Sequence, residues 1–300
     1  MKKLLIFLLV STLLLSTVGC GTAAPGEPPV LPTPEYAASE EYLMTHDAND
    51  VIFSVANVVK KENSPLEGKT IYWLGSSVTY GSASEGESMA DYIAAMTGAV
   101  CKKEAVSGTT IFDDGGSGDT GAGSYTRRLV NSTVFDKNEK VDAFICQIST
   151  NDAATNRISM WGSLTDDTVT ASSEFDRGTT IGGIEFIIAY VTETWGCPVY
   201  FYSGANFTKE GARMGTNPAA DNYGRLVDRV ERAVEKWNRV EGVETGIINL
   251  FEDAQFNAAV SDAYYAWGMK DPVHPKRAAY LQWWAPYIEN YLVINLTMNE

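Results

Sequence analysis

Apolar runs recur along this chain between longer amphipathic stretches. They cover residues 70–74, 99–106, 141–148, 198–202 and 246–250. Most are nearly continuous rather than alternating, the pattern of strands covered on both faces. Between them the spacing predicts helices starting near Ser88, Ser124, Gly183, Asp221 and Glu252, with a last one from Pro275. Ser88 followed by Asp91 reads as a capping box, and Gly98 as a C-terminal stop. Ahead of the first strand, Asp50 is placed to cap a helix carrying Ile52, Phe53, Val55, Val58 and Val59. Strands alternating with helices predict an α/β fold: a five-stranded parallel sheet with helices on both faces. In such sheets ligands bind beyond the carboxyl ends of the strands.

The first residues have a different pattern. Lys2 and Lys3 precede an apolar stretch over 4–15, too short to span a bilayer well. Thr17-Val18-Gly19-Cys20 comes next and resembles a bacterial lipobox, in which the cysteine is lipidated and becomes the mature N-terminus. Plain secretion with cleavage nearby is the alternative. Pro25, Pro28, Pro29, Pro32 and Pro34 then mark an extended tether. The expected organisation is a signal peptide over 1–19, an anchor and tether over 20–35, and one domain over 36–300. The expected address is extracytoplasmic, at the cell surface or secreted.

Composition narrows the partners. With 300 residues and 45% hydrophobic content, the chain can bury one sizeable core. The net charge is -15, and without Lys2 and Lys3 there are 21 basic residues against 38 acidic, a net of -17. Such a surface repels phosphate backbones, which argues against a nucleic-acid partner, and anionic headgroups. Membrane contact is therefore expected only through a lipid anchor. Apart from Cys20 there are Cys101, Cys146 and Cys197, read as free thiols rather than a disulfide framework.

The candidate chemistry lies at the predicted strand ends. Ser77 follows the first strand in Leu74-Gly75-Ser76-Ser77, and Asp271-Pro272-Val273-His274 comes late in the chain. A serine hydroxyl needs a base within hydrogen-bond reach. Of the two histidines, His46 sits in a polar stretch near the tether and reads as solvated, so base chemistry falls on His274. Asp271 lies three residues earlier, where one turn brings its carboxylate beside the imidazole. Gly108 follows the second strand and Asn151 the third. The Gly108 N–H, the Asn151 amide and the Ser77 N–H are candidate donors to an oxyanion.

Four segments carry a family resemblance. Gly75-Ser76-Ser77-Val78-Thr79-Tyr80-Gly81, Gly108, Ser149-Thr150-Asn151-Asp152 and Asp271-Pro272-Val273-His274 resemble, in order, the blocks of the SGNH (GDSL-type) hydrolases. Ser76 stands where the family usually has aspartate, and Ser149 where it usually has glycine. The resemblance runs from about residue 69 to 274. It implies a flavodoxin-like three-layer fold, ester hydrolysis without a metal, Ser77 as nucleophile and Asn151 in the oxyanion role. Family substrates range over acetylated sugars, lipids and thioesters.

The reading is an extracytoplasmic serine esterase removing short acyl groups, acetyl above all, from a carbohydrate. A lipase or thioesterase of the same fold, or a non-catalytic glycan-binding lipoprotein, are the alternatives. Trp161 and Trp267 lie in loops near strand ends and are candidate substrate contacts, with loop anchoring as the other reading. Gly116-Ser117-Gly118-Asp119-Thr120-Gly121 matches a dinucleotide-binding pattern, but it does not directly follow a strand, and its acidic residues would repel a pyrophosphate. No cofactor and no metal are expected.

Overall fold

A computed structural model of the chain describes residues 39–113, 115, 123–206 and 218–297. The expected signal peptide, Cys20, the tether and the Gly116–Gly121 motif lie outside the described residues.

The elements alternate as the pattern predicts. In chain order they are α1 (Glu40–Leu43), β1 (Thr70–Gly75), α2 (Ser77–Tyr80), α3 (Met89–Thr97), β2 (Val100–Ala105), α4 (Tyr125–Asn131), β3 (Ala143–Gln147), α5 (Thr180–Trp195), β4 (Val199–Tyr202), α6 (Pro218–Trp237), β5 (Thr245–Ile248), α7 (Ala254–Ala258), α8 (Asp262–Gly268), α9 (Arg277–Ala279) and α10 (Ala285–Thr297). The strands form one parallel sheet in the order β2-β1-β3-β4-β5. The expected fold class, a five-stranded parallel sheet between helical layers, is the one observed.

Strand periodicity divides the core in two. Tyr72, Leu74, Phe144, Cys146, Val199 and Phe201 pack on one face with apolar residues of α4, α5 and α6. Ile71, Trp73, Ala143, Ile145, Tyr200 and Tyr202 pack on the other with α3 and α10. β1 and β3 are therefore buried on both faces. β2 is an edge strand, and its half-exposed residues include Lys102 and Lys103, charges that discourage pairing with another sheet.

Local signals set most helix ends. The Ser88 N–H donates to Asp91 Oδ2 at 2.7 Å, and Gly98 ends α3 at φ 79°. The helix expected at Gly183 starts at Thr180, because the Thr179 hydroxyl caps it by accepting from Gly182 N–H at 3.2 Å. Two expectations fail. Asp50 does cap, but it opens two 3-10 turns, Val51–Phe53 and Val55–Asn57, instead of an α-helix. Val51, Ile52 and Val59 are exposed, so no continuous apolar stripe faces the body to stabilise one. The helix expected from Pro275 is interrupted by a π-helical turn, Tyr280–Trp284, between α9 and α10.

Cys101, Cys146 and Cys197 are free, as expected. Burial pushes the Cys197 thiol up to about 12, so it is inert at neutral pH.

Candidate active site

The carboxyl end of β1 turns sharply at Ser76 into α2, and Ser77 is its first residue. Glycine is required just before this turn: a Cβ at Gly75 would lie 1.7 Å from Thr79 Oγ1 and 2.9 Å from Gln147 Oε1. The Ser77 side chain opens towards the loop before α9, where His274 Nε2 lies 2.8 Å from Ser77 Oγ.

That loop is built around one carboxylate. Asp271 Oδ1 accepts from the Val273 N–H at 2.9 Å and from the His274 N–H at 3.0 Å. The turn this closes brings the imidazole back over its own cap, with Nδ1 2.8 Å from each Asp271 oxygen. A carboxylate can only accept, so Nδ1 carries the proton and Nε2 is left to accept from the Ser77 hydroxyl. Partial burial pushes the Asp271 carboxyl up, but the Val273 N–H and the His274 imidazole outweigh it and hold it below the ordinary carboxylate range. Lys270 N–H donates to the His274 carbonyl, and Tyr265 OH to the Pro272 carbonyl, so the loop is tied at both ends.

The Gly108 and Asn151 segments are joined to each other by hydrogen bonds. Gly108 is exposed at φ 82°, a left-handed conformation that favours glycine. Its neighbour Thr109 offers a carbonyl that accepts from Asn151 Nδ2 at 2.9 Å and from Ser149 Oγ at 3.2 Å. The same Ser149 hydroxyl accepts from the Asn151 N–H at 3.2 Å. Ser149 thus bridges the Gly108 and Asn151 segments. The bond to the Thr109 carbonyl uses one of the two hydrogens of the Asn151 amide.

Sequence reasoning missed three supports. The Arg128 guanidinium is buried and donates to the Gly75 carbonyl at 2.8 Å and to Thr109 Oγ1 at 3.0 Å, joining the nucleophile turn to the glycine block. Asp152 is fully buried; it accepts from Ile111 N–H at 3.0 Å and from Thr180 Oγ1 at 2.8 Å. Burial pushes its carboxyl up to about 6 despite these bonds. The third is Gln147, an isolated polar side chain in an apolar strand, which gave no signal by itself.

Of the two readings of Trp161 and Trp267, substrate contact and loop anchoring, their surroundings fit anchoring. Trp161 is 1% exposed, with its indole N–H donating to the Asp152 carbonyl at 2.8 Å and the Arg229 guanidinium over its ring. Trp267 gives its N–H to the His46 carbonyl at 2.9 Å and stacks edge-on against Phe53 and Tyr264. A large ring whose one donor is used internally packs best against the body. His46 is likewise not merely solvated, since its ring meets Tyr42 and Phe53 edge-on.

The segment before β1 is strapped to this site. Arg277, three residues after His274, donates to Glu87 Oε2 and Glu85 Oε2 at 2.8 Å each and to the Asn49 carbonyl at 3.0 Å. Glu87 also accepts from Ser54 Oγ at 2.7 Å and from the Val55 N–H at 3.3 Å. One guanidinium and one carboxylate therefore hold the His274 loop, the segment after α2 and the N-terminal segment together.

No protein-family model matches the chain, and no curated protein matches it. Solved structures do resemble its fold. A carbohydrate esterase family 2 enzyme with a carbohydrate-binding domain from Corynascus thermopiles (Myceliophthora fergusii) is 16% identical, with 79% of this chain and 68% of that one covered and a TM-score of 0.47. The aryl esterase of M. smegmatis is 13% identical over 75% of this chain and 98% of that one, with a TM-score of 0.46. A candidate SGNH hydrolase from Slackia heliotrinireducens is 16% identical over 77% of this chain and 100% of that one, with a TM-score of 0.45.

Proposed function

We propose that the protein is a serine ester hydrolase of SGNH type, with Ser77 as nucleophile, His274 as base and Asp271 as its orienter. The observation that carries this reading is the unbroken relay in which Ser77 Oγ lies 2.8 Å from His274 Nε2 and His274 Nδ1 lies 2.8 Å from Asp271. In the first half-reaction Ser77 Oγ attacks the ester carbonyl while its proton passes to His274 Nε2. The carbonyl oxygen gains charge and draws on the Asn151 amide, with the Gly108 and Ser77 N–H groups as further donors. Collapse of the tetrahedral adduct breaks the ester C–O bond, and His274 returns the proton to the leaving alcohol. Water then repeats the sequence on the acyl-serine, releasing the acid and restoring Ser77.

Short acyl groups, acetyl above all, carried on a carbohydrate are the proposed substrates. This class is supported by the leader segment, the acidic body and a sequence without an extended apolar helix that would grip a lipid chain. The proposed address is the outer face of a bacterial membrane, through a lipid on Cys20. Aryl esters of graded chain length, with acetylated xylan and acetylated peptidoglycan beside them, test the class. The acetyl ester is expected to be turned over best, and Ser77→Ala to abolish turnover. Preference for a long acyl chain or a thioester would replace the substrate class. Undiminished turnover by Ser77→Ala would remove the mechanism.

A further inference from the structure

We infer that Gln147, the last residue of β3, is a positioning residue for the nucleophile, fixing the turn that aims Ser77 at His274. The inference rests on the serine hydrolase reading. It starts from a deficiency in α2, which has four residues and few bonds of its own: Tyr80 N–H to the Ser76 carbonyl at 2.8 Å and Gly81 N–H to the Ser77 carbonyl at 3.0 Å. A single turn does not hold its shape unaided. Its cap does not help, because Ser76 makes no side-chain capping bond. A capping side chain would normally accept from the second or third N–H of the helix.

Gln147 does this from the neighbouring strand. Its Oε1 accepts from the Thr79 N–H, third in the helix, at 3.2 Å. It also accepts from the Ser76 N–H at 3.0 Å and from Thr79 Oγ1 at 2.8 Å. Having donated there, the Thr79 hydroxyl accepts from Tyr202 OH at 2.6 Å. Gln147 is 2% exposed, and Ser76, Thr79 and Tyr202 are fully buried, so water cannot replace this acceptor. The missing Cβ of Gly75 is what lets the amide approach, since that atom would fall 2.9 Å from Oε1. At the other end of the turn Tyr280 OH donates to the Val78 carbonyl at 2.6 Å. Three bonds to one oxygen thus fix the residues on either side of Ser77.

A residue that only stabilised the fold would lower the melting temperature and leave turnover per folded enzyme unchanged. A positioning residue acts on kcat, because a misplacement of about 1 Å costs up to about 100-fold. The test compares Gln147→Met, which keeps the length and removes the acceptor, with Gln147→Glu, which keeps an acceptor oxygen at the same reach. Full-length wild type and Ser77→Ala run beside them on an aryl acetate, with kcat, KM and melting temperature recorded for each. Gln147→Met is expected to lose about 10- to 100-fold in kcat with KM within about threefold of wild type. Gln147→Glu should recover most of that loss. A folded Gln147→Met with wild-type kcat, or equal losses in both variants, overturns the inference. Should Gln147→Met not fold, Thr79→Val carries the test: a several-fold lower kcat at unchanged KM supports the network, and unchanged kcat overturns it. Wild type that neither turns over ester nor differs from Ser77→Ala would instead remove the serine hydrolase reading, and the inference with it.

Discussion

At the scale of single residues, the oxyanion and the buried carboxylate behind it give separate predictions. If Asn151 donates to the oxyanion as proposed, Asn151→Ala should lower kcat about 10²- to 10³-fold while KM changes little, beside the loss of its bond to the Thr109 carbonyl. Steady-state kinetics on an aryl acetate checks this. Asp152 gives a stability prediction with a definite sign. Its folded carboxyl titrates at about 6, above the unfolded value, so the folded state binds more protons between about 4 and 6. Its ionisation therefore costs stability at neutral pH, and the cost is relieved as pH falls through that window. Asp152→Asn removes the titration while offering a carbonyl to Ile111 and an amide to Thr180. Compared with that variant, wild type should gain on the order of 3 kcal/mol on going from pH 7 to pH 4, read by denaturant melts. A constant difference across that range would contradict the assignment. What was legible at this scale was chemistry with a sequence signature. Ser77, Asp271 and His274 stood out because the body holds one histidine beyond the tether-proximal His46, and its carboxylate sits three residues away. Gln147 and Arg128 were illegible, because their partners lie on other elements. For Trp161 and Trp267 the sequence leaves substrate contact and loop anchoring both open, because a loop position does not say which way a ring faces.

Elements position the site through their ends. β1, β3 and the loop before α9 each deliver one block to the same sheet edge, and buried side chains tie the blocks together. Arg277 is the outermost of these ties. Arg277→Met keeps the aliphatic stem and deletes the bonds to Glu85, Glu87 and Asn49. It should cost on the order of 1–2 kcal/mol, because Glu87 is left partly buried without its cation while keeping its bonds from Ser54, Val55 and Tyr92. It should also lower kcat, since the His274 loop loses its fastening to the segment after α2. A melt and a rate measurement on the same preparation check both. Parallel strands were legible as dense apolar runs, and their observed ends lie within two residues of the expected ones. The 3-10 turns after Asp50 and the π turn at Tyr280–Trp284 were not. Both depend on which faces the finished body offers, and periodicity along the chain does not carry that information.

At the scale of the whole molecule, a strongly acidic body on a proposed lipid tether is suited to reach polymer while standing off an anionic membrane. A tether of about 15 residues in polyproline-like extension reaches about 45 Å. If Cys20 carries the lipid, Cys20→Ala should release an active enzyme or leave an unprocessed precursor, as fractionation with an activity assay and intact mass would report. Unmodified wild-type protein in the medium, cleaved elsewhere than before Cys20, would leave simple secretion. The claim on which the functional reading depends is the acylation of one serine. It is tested most directly by treating the full-length protein with a fluorophosphonate and measuring intact mass, followed by peptide mapping. A single adduct on Ser77, absent from Ser77→Ala and formed far more slowly in His274→Ala, is the predicted result. No adduct, or an adduct that persists in Ser77→Ala, would contradict it.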